Sequence, residues 1–285
     1  MTPTLVRQHR SQAGETSRVD LGARARDWSE IQERMLVPLY EAVYERLEVG
    51  PNTRLLGLGC GSGLALLMAA SRGAAVTGVD DSSPERLALA RERLLPEAGG
   101  TRARGATRLV AGAPGDAADA TTPAYTLVTA FEPIGCLAGD SEGLGELLAS
   151  ATPLAERGAA VVLAGWGPPE RCATTSVLRL ATKLADPLRS AGSWRPALRD
   201  DLEEVAQRAG LKPDGSGRVA IPFGYADTES AVRGLLSTGL FDAAISATDP
   251  VQVDKELTEA LHPHRRRDGT VWMPNVFRYL IARTP

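Results

Sequence analysis

The sequence predicts an α/β fold: a doubly wound, mostly parallel sheet with helices on both faces. Three observations lead there. Between Arg54 and Ala164, short apolar runs alternate strictly with helical runs, the order that builds a parallel sheet through crossover helices. The first apolar run ends in LLGLGCGSG, residues 55–63, and glycines between a strand and a helix let a ligand touch the backbone. The second run ends in an acid, Asp80, about 20 residues after the glycines, where a ribose can be held.

Composition sets the limits. The chain has 285 residues, 43% hydrophobic and 24% charged, which suits one α/β domain with insertions or two small domains. Its net charge of -3 gives no electrostatic case for a nucleic-acid partner. Cys60, Cys136 and Cys172 are scattered and form no CxxC, so neither a disulfide framework nor a metal site is expected and a reduced, cytoplasmic setting is the default. No apolar run approaches the roughly 18 residues that span a bilayer. Residues 1–23 are polar, lack the apolar centre of a signal peptide and read as a flexible lead-in.

The elements follow in order. Residues 24–50 carry Ile31, Met35, Leu39, Val43 and Leu47 at helical spacing, with Pro38 expected to kink the helix. The core, residues 51–165, reads as strands at 54–58, 76–79, 109–111, 127–130 and 159–164. Helices fall between them at 64–72, 84–95 and 144–151, with Ser82 or Ser83 capping the second. From 166 to 285 the rhythm changes. Residues 172–188, 199–209 and 227–265 read as helical lid segments, 219–223 as a strand and 276–282 as a closing sheet strand.

The glycine spacing discriminates between ligands. Dinucleotide enzymes use G-x-G-x-x-G, but here positions 64 and 66 are leucines. The loop is G-x-G-x-G, suited to a ligand without a pyrophosphate. LLGLGCGSG followed by VTGVDDSSPERLALARERL resembles the first two motifs of class I S-adenosylmethionine-dependent methyltransferases, most closely the type 11, small-molecule branch. ARDWSEIQERMLVPLYEAV, GWGPPERC and MPNVFRYLIAR extend the resemblance over residues 24–283. It implies a seven-stranded sheet whose last strand is antiparallel, S-adenosylmethionine as cofactor and a small-molecule acceptor. It also implies that Gly59, Cys60 (through its backbone), Gly61 and Gly63 line the methionine part, Asp80 the ribose and Asp81 the adenine edge, with Phe131 near the methyl group.

Two positions depart from the family's pattern. Gly57 stands where an acid usually helps hold the cofactor's amino group, and Ala113 where an aspartate usually meets adenine. They keep open an alternative, a methyltransferase-fold protein with weakened or altered cofactor use. For the chemistry, Glu132, just past the fourth strand, is a candidate base or ammonium ligand. His264, in LHPHRRR, is a candidate base from the helical segments. Trp166 is a candidate wall of the acceptor pocket. The residues leave oligomeric state and the atom methylated open.

Overall fold

The computed structural model describes residues 20–95, 106–118, 124–137, 139–185 and 196–285. In chain order the strands are β1 (Arg54–Leu58), β2 (Ala75–Asp80), β3 (Thr107–Ala111), β4 (Tyr125–Ile134), β5 (Ala155–Trp166), β6 (Lys212–Ala220), β7 (Phe223–Tyr225), β8 (Val271–Met273) and β9 (Val276–Arg283). Seven of them form one sheet in the order β3-β2-β1-β4-β5-β9-β6, while β7 and β8 pair separately. The pairs from β3 to β5 are parallel. The last strand, β9, runs antiparallel to both its neighbours. The doubly wound sheet with its antiparallel last strand is therefore the observed architecture.

Adjacent residues of a strand face opposite layers, and the core divides accordingly. Leu55, Val162, Phe131 and Phe277 belong to one buried cluster, and Leu56, Val161, Val128 and Leu280 to another. Helices α1 (Leu21–Asp27), α2 (Val37–Arg46), α3 (Leu64–Ser71) and α4 (Pro84–Leu94) precede α5 (Asp140–Ala151), α6 (Thr174–Ala185), α7 (Asp201–Arg208), α8 (Thr228–Ser237), α9 (Asp242–Ala247) and α10 (Pro250–Leu261). Leu144 and Leu148 of α5 and Val205 of α7 fill the second cluster; Leu39 of α2, Val177 of α6 and Leu257 of α10 fill the first. A fully buried Leu or Val contributes about 1.5–3 kcal/mol, so each layer is held by many such contacts. Helix α4 begins as its sequence dictates: Ser83 Oγ accepts from Arg86 N–H at 3.2 Å, and Pro84 opens the first turn.

The N-terminal segment differs from expectation. Helix starts at Leu21 and runs through a π-helical turn, Trp28–Gln32, and a 3-10 turn, Glu33–Leu36, into α2. Pro38 lies in the first turn of α2, where its missing N–H costs nothing, so the irregularity precedes it. The change of helical pitch leaves two successive polar side chains, Gln32 and Glu33, both buried.

The expected strand at 219–223 is resolved into the end of β6 and the start of β7. Residues 186–188 of the expected helix from Cys172, and most of the N-terminal lead-in, lie outside the described residues. Among the described residues no helix is long and apolar enough to cross a membrane.

Candidate functional site

The glycine loop leaves the C-terminal end of β1, at the edge of the sheet where open α/β folds place ligands. Gly59 and Gly61 have φ of +58° and +55°, conformations that strain any residue with a side chain. Asp80 fixes the loop from the end of β2. Gly61 N–H donates to its Oδ2 at 2.7 Å, and the N–H and hydroxyl of Ser82 donate to its Oδ1 at 2.9 and 2.6 Å. A carboxylate has about four acceptor positions; these three bonds leave one, on Oδ2, beside the loop.

The irregular N-terminal helix closes the loop from the other side. Glu33 is buried and accepts from the Ser62 hydroxyl, from Arg93 Nη1 at 2.8 Å and from Leu64 N–H at 3.3 Å. Arg93 also donates to Ser62 O at 2.8 Å and Ser29 Oγ at 2.6 Å. The preceding residue, Gln32, faces away and accepts from the Tyr225 hydroxyl at 3.0 Å. Trp28 carries the Arg86 guanidinium over its ring at 4.2 Å, and its indole N–H is buried without a partner among the described residues. A Cβ on Gly61 would lie 3.3 Å from that nitrogen and 3.7 Å from Glu33 Oε1. The sequence reading missed Trp28, Glu33 and Arg93; on a regular helix Glu33 reads as solvated.

Beside the loop lies a cavity of about 470 Å3, with a narrow annex of about 60 Å3 under the glycines. Glu132 lines both, and a Cβ on Gly59 would come within 3.6 Å of its Oε2. Its carboxylate faces the cavity and makes no hydrogen bond or ion pair with the described residues. The surrounding protein withholds water and pushes its pKa above the usual carboxylate range, aided by the nearby charges of Asp80 and Asp140 and opposed by Arg86. Asp81 lies on the cavity wall. Phe131 lines the annex, packed on Tyr40 and Tyr44 at centroid distances of 4.8 and 5.8 Å. Trp166 lines the cavity with Phe223 and Phe277; the three rings lie 4.5–6.1 Å apart.

Other sequence candidates are placed differently. Gly57 lines the annex, and the space above it is filled by Leu66, whose Cδ2 would be 2.9 Å from an added Cβ. Gly63 lines neither space; an added Cβ would press on Ala90 and Leu94 of α4 at 3.0 and 3.1 Å. Ala113 is exposed and also outside them, its N–H donating to Asp116 Oδ2 at 2.9 Å. Cys60 lines the annex, and burial beside Asp80 and Glu33 pushes its thiol up to about 12, the wrong direction for a nucleophile. His264 is not brought to Glu132. It lines a separate open groove of about 850 Å3 with Arg171, Cys172, Arg179 and Asn275, sharing no residue with the cavity, and burial lowers its imidazole pKa.

No family model and no curated protein sequence matches the chain. Solved structures do. BH2331 of Bacillus halodurans C-125, a methyltransferase candidate, superposes with a TM-score of 0.54 at 15% identity, over 86% of this chain and 98% of its own. YjhP of E. coli gives 0.51 at 19% identity, over 92% and 99%. The geranyl diphosphate C-methyltransferase of Streptomyces coelicolor A3(2), solved with S-adenosyl-L-homocysteine, gives 0.48 at 15% identity, over 89% and 80%. Sheet order, the antiparallel last strand and the first two of these superpositions agree: the chain has the Rossmann-like fold of class I methyltransferases.

Proposed function

We propose that the protein is an S-adenosylmethionine-dependent methyltransferase acting on a small molecule. One observation carries the reading: the strained glycine loop, with Asp80 behind it, opens directly into a cavity of about 470 Å3 that contains Glu132. That volume lies in the usual range of small-molecule sites, about 300–1,000 Å3.

The residues fit the cofactor. The annex lies where side chains at Gly59 and Gly61 would project, so the bare backbone leaves room for its methionine part. The spare acceptor on Asp80 suits a ribose hydroxyl. The unpartnered Trp28 N–H suits a carboxylate oxygen, which would relieve a buried orphan donor. Glu33, ion-paired with Arg93, fixes the loop from another element by accepting from Ser62 and Leu64. S-adenosylmethionine, when bound, supplies a methyl group made electrophilic by a positively charged sulfur.

Glu132 is placed to orient the acceptor and to take the proton that its nucleophilic atom must lose for methyl transfer, in which the carbon–sulfur bond would break as the new bond to carbon forms and leave a neutral thioether. A carboxylate with a raised pKa is a stronger base than a free one. Helices that follow Trp166, together with residues 21–36, line the cavity through Trp28, Leu36, Leu178 and Leu235.

Calorimetric titration with S-adenosylhomocysteine tests the reading. Binding is expected in the native protein, weakened at least tenfold by Asp80→Ala. No heat and no thermal stabilisation with the native protein would overturn it.

A further inference from the structure

The cavity also says what kind of acceptor it takes. Its charged lining residues are Asp81, Glu132 and Asp140; the described lining includes no Lys, Arg or His. Asp140 is occupied, its Oδ2 accepting from the N–H groups of Gly135, Cys136 and Leu137 at 2.7, 2.9 and 3.1 Å. The Thr174 and Thr238 hydroxyls are bonded to protein partners as well. Glu132 and Asp81 make no hydrogen bond or ion pair with the described residues, and of the two Glu132 also lines the annex under the glycines. Around Glu132 the wall is aliphatic on one side and, at Trp166, Phe223 and Phe277, aromatic on the other. A carboxylate without a counter-ion attracts a cation, and an aromatic face that comes within about 6 Å of a cation adds to that attraction. An anionic group would meet three acids on the cavity wall, the nearest cation, Arg86, lying in the annex and held over the Trp28 ring.

We infer that the acceptor is a predominantly apolar amine, its nitrogen held by Glu132 and its hydrocarbon part by the Trp166–Phe223–Phe277 wall. This rests on the methyltransferase reading. A carboxylate, phosphate or diphosphate is disfavoured. The ammonium form is drawn in, Glu132 takes one proton, and the neutral amine is left with its lone pair free to act as nucleophile.

The test is a binding series on the protein loaded with S-adenosylhomocysteine, using 2-phenylethylamine, 2-phenylethanol and phenylacetate, which differ only in the polar group. Calorimetry is expected to give an affinity for the amine at least tenfold above that for the carboxylate, with the alcohol between them. Glu132→Gln is expected to reduce the amine's advantage over the alcohol to less than threefold while S-adenosylhomocysteine still binds. Equal or tighter binding of phenylacetate, or no binding of the amine to the loaded protein, overturns the inference and leaves the cofactor reading standing. Failure of S-adenosylhomocysteine itself to bind overturns the cofactor reading instead, and is seen in the loading step before any amine is added.

Discussion

A Cβ placed on Gly57 would come within 2.9 Å of Leu66 Cδ2, and Leu66 has little freedom to swing aside. Its other methyl would sit 2.5 Å from a Cβ on Gly78, the residue paired with Gly57 across β1 and β2. The two glycines form a hollow that Leu66 fills, so the absent acid is tied to packing. Gly57→Ala is expected to destabilise the protein by about 1–3 kcal/mol, the range for overpacked cores. Gly57→Asp is expected to destabilise it more without tightening S-adenosylhomocysteine, and urea denaturation should show the penalty shrinking in a Leu66→Ala background. Glu132 gives a second expectation, in pH. Its folded-state pKa is raised, so its contribution to stability is fully present below the unfolded value and is lost as pH rises through the folded one. Glu132→Gln is thus expected to be more stable than the native protein at about pH 7 and indistinguishable below the ordinary carboxylate range. The role proposed for Glu132 requires the carboxylate form, so the acid limb of kcat/KM is expected to lie above that of an ordinary glutamate and to disappear in the Gln variant.

The N-terminal helical segment is held to the glycine loop through Glu33 and Arg93. Arg93→Met would leave Glu33 buried and unpaired, which costs about 3–5 kcal/mol. The double variant Glu33→Leu/Arg93→Met is expected to recover much of that loss in urea denaturation while still binding S-adenosylhomocysteine more weakly than the native protein. None of this network was legible in the sequence, because the π-helical turn at Trp28–Gln32 rotates the face that a regular period assigns. Elements with a compact apolar run or a clear cap were legible: β1 was placed at its observed bounds, and α4 to within one residue, with Ser82 or Ser83 as the expected cap and Ser83 the observed one. Strand β6 was not, since KPDGSGRVA contains proline and glycines and no residue that becomes fully buried. As a sheet-edge strand it needs no apolar face, and its sequence reads as a turn. The loop at Gly59 and Gly61, with Asp80, was legible because backbone strain and a strand-end acid are local properties. The shape of the cavity depends on contacts such as Gln32–Tyr225, 193 residues apart in the chain, which no local pattern records.

Across the whole molecule, residues 21–36 and the helices α8 and α9 meet above the cavity. Arg24 pairs with Asp242 at 2.7 Å, Arg86 donates to the Ser237 carbonyl, and Gly234 lets Ile31 and Tyr225 approach. Because these contacts join the two segments, S-adenosylhomocysteine is expected to slow amide exchange in both together, with little change in β1 and β4, which are already at the protected limit. Slowing of one segment alone would show that they move independently. The position of β9 has a consequence of another kind, for the timing of synthesis. It lies between β5 and β6, yet a ribosome makes it after both. Until residue 283 has been added, β5, with its run AAVVLAGW, presents an open apolar edge to other chains. The edge that remains open on that side afterwards belongs to β6, whose proline and glycines discourage strand addition; β3 forms the opposite edge. Chains stopped at residue 275 are therefore expected to aggregate through β5, which pelleting of released chains would reveal. On that side of the sheet the finished protein exposes the strand least suited to recruiting a neighbour.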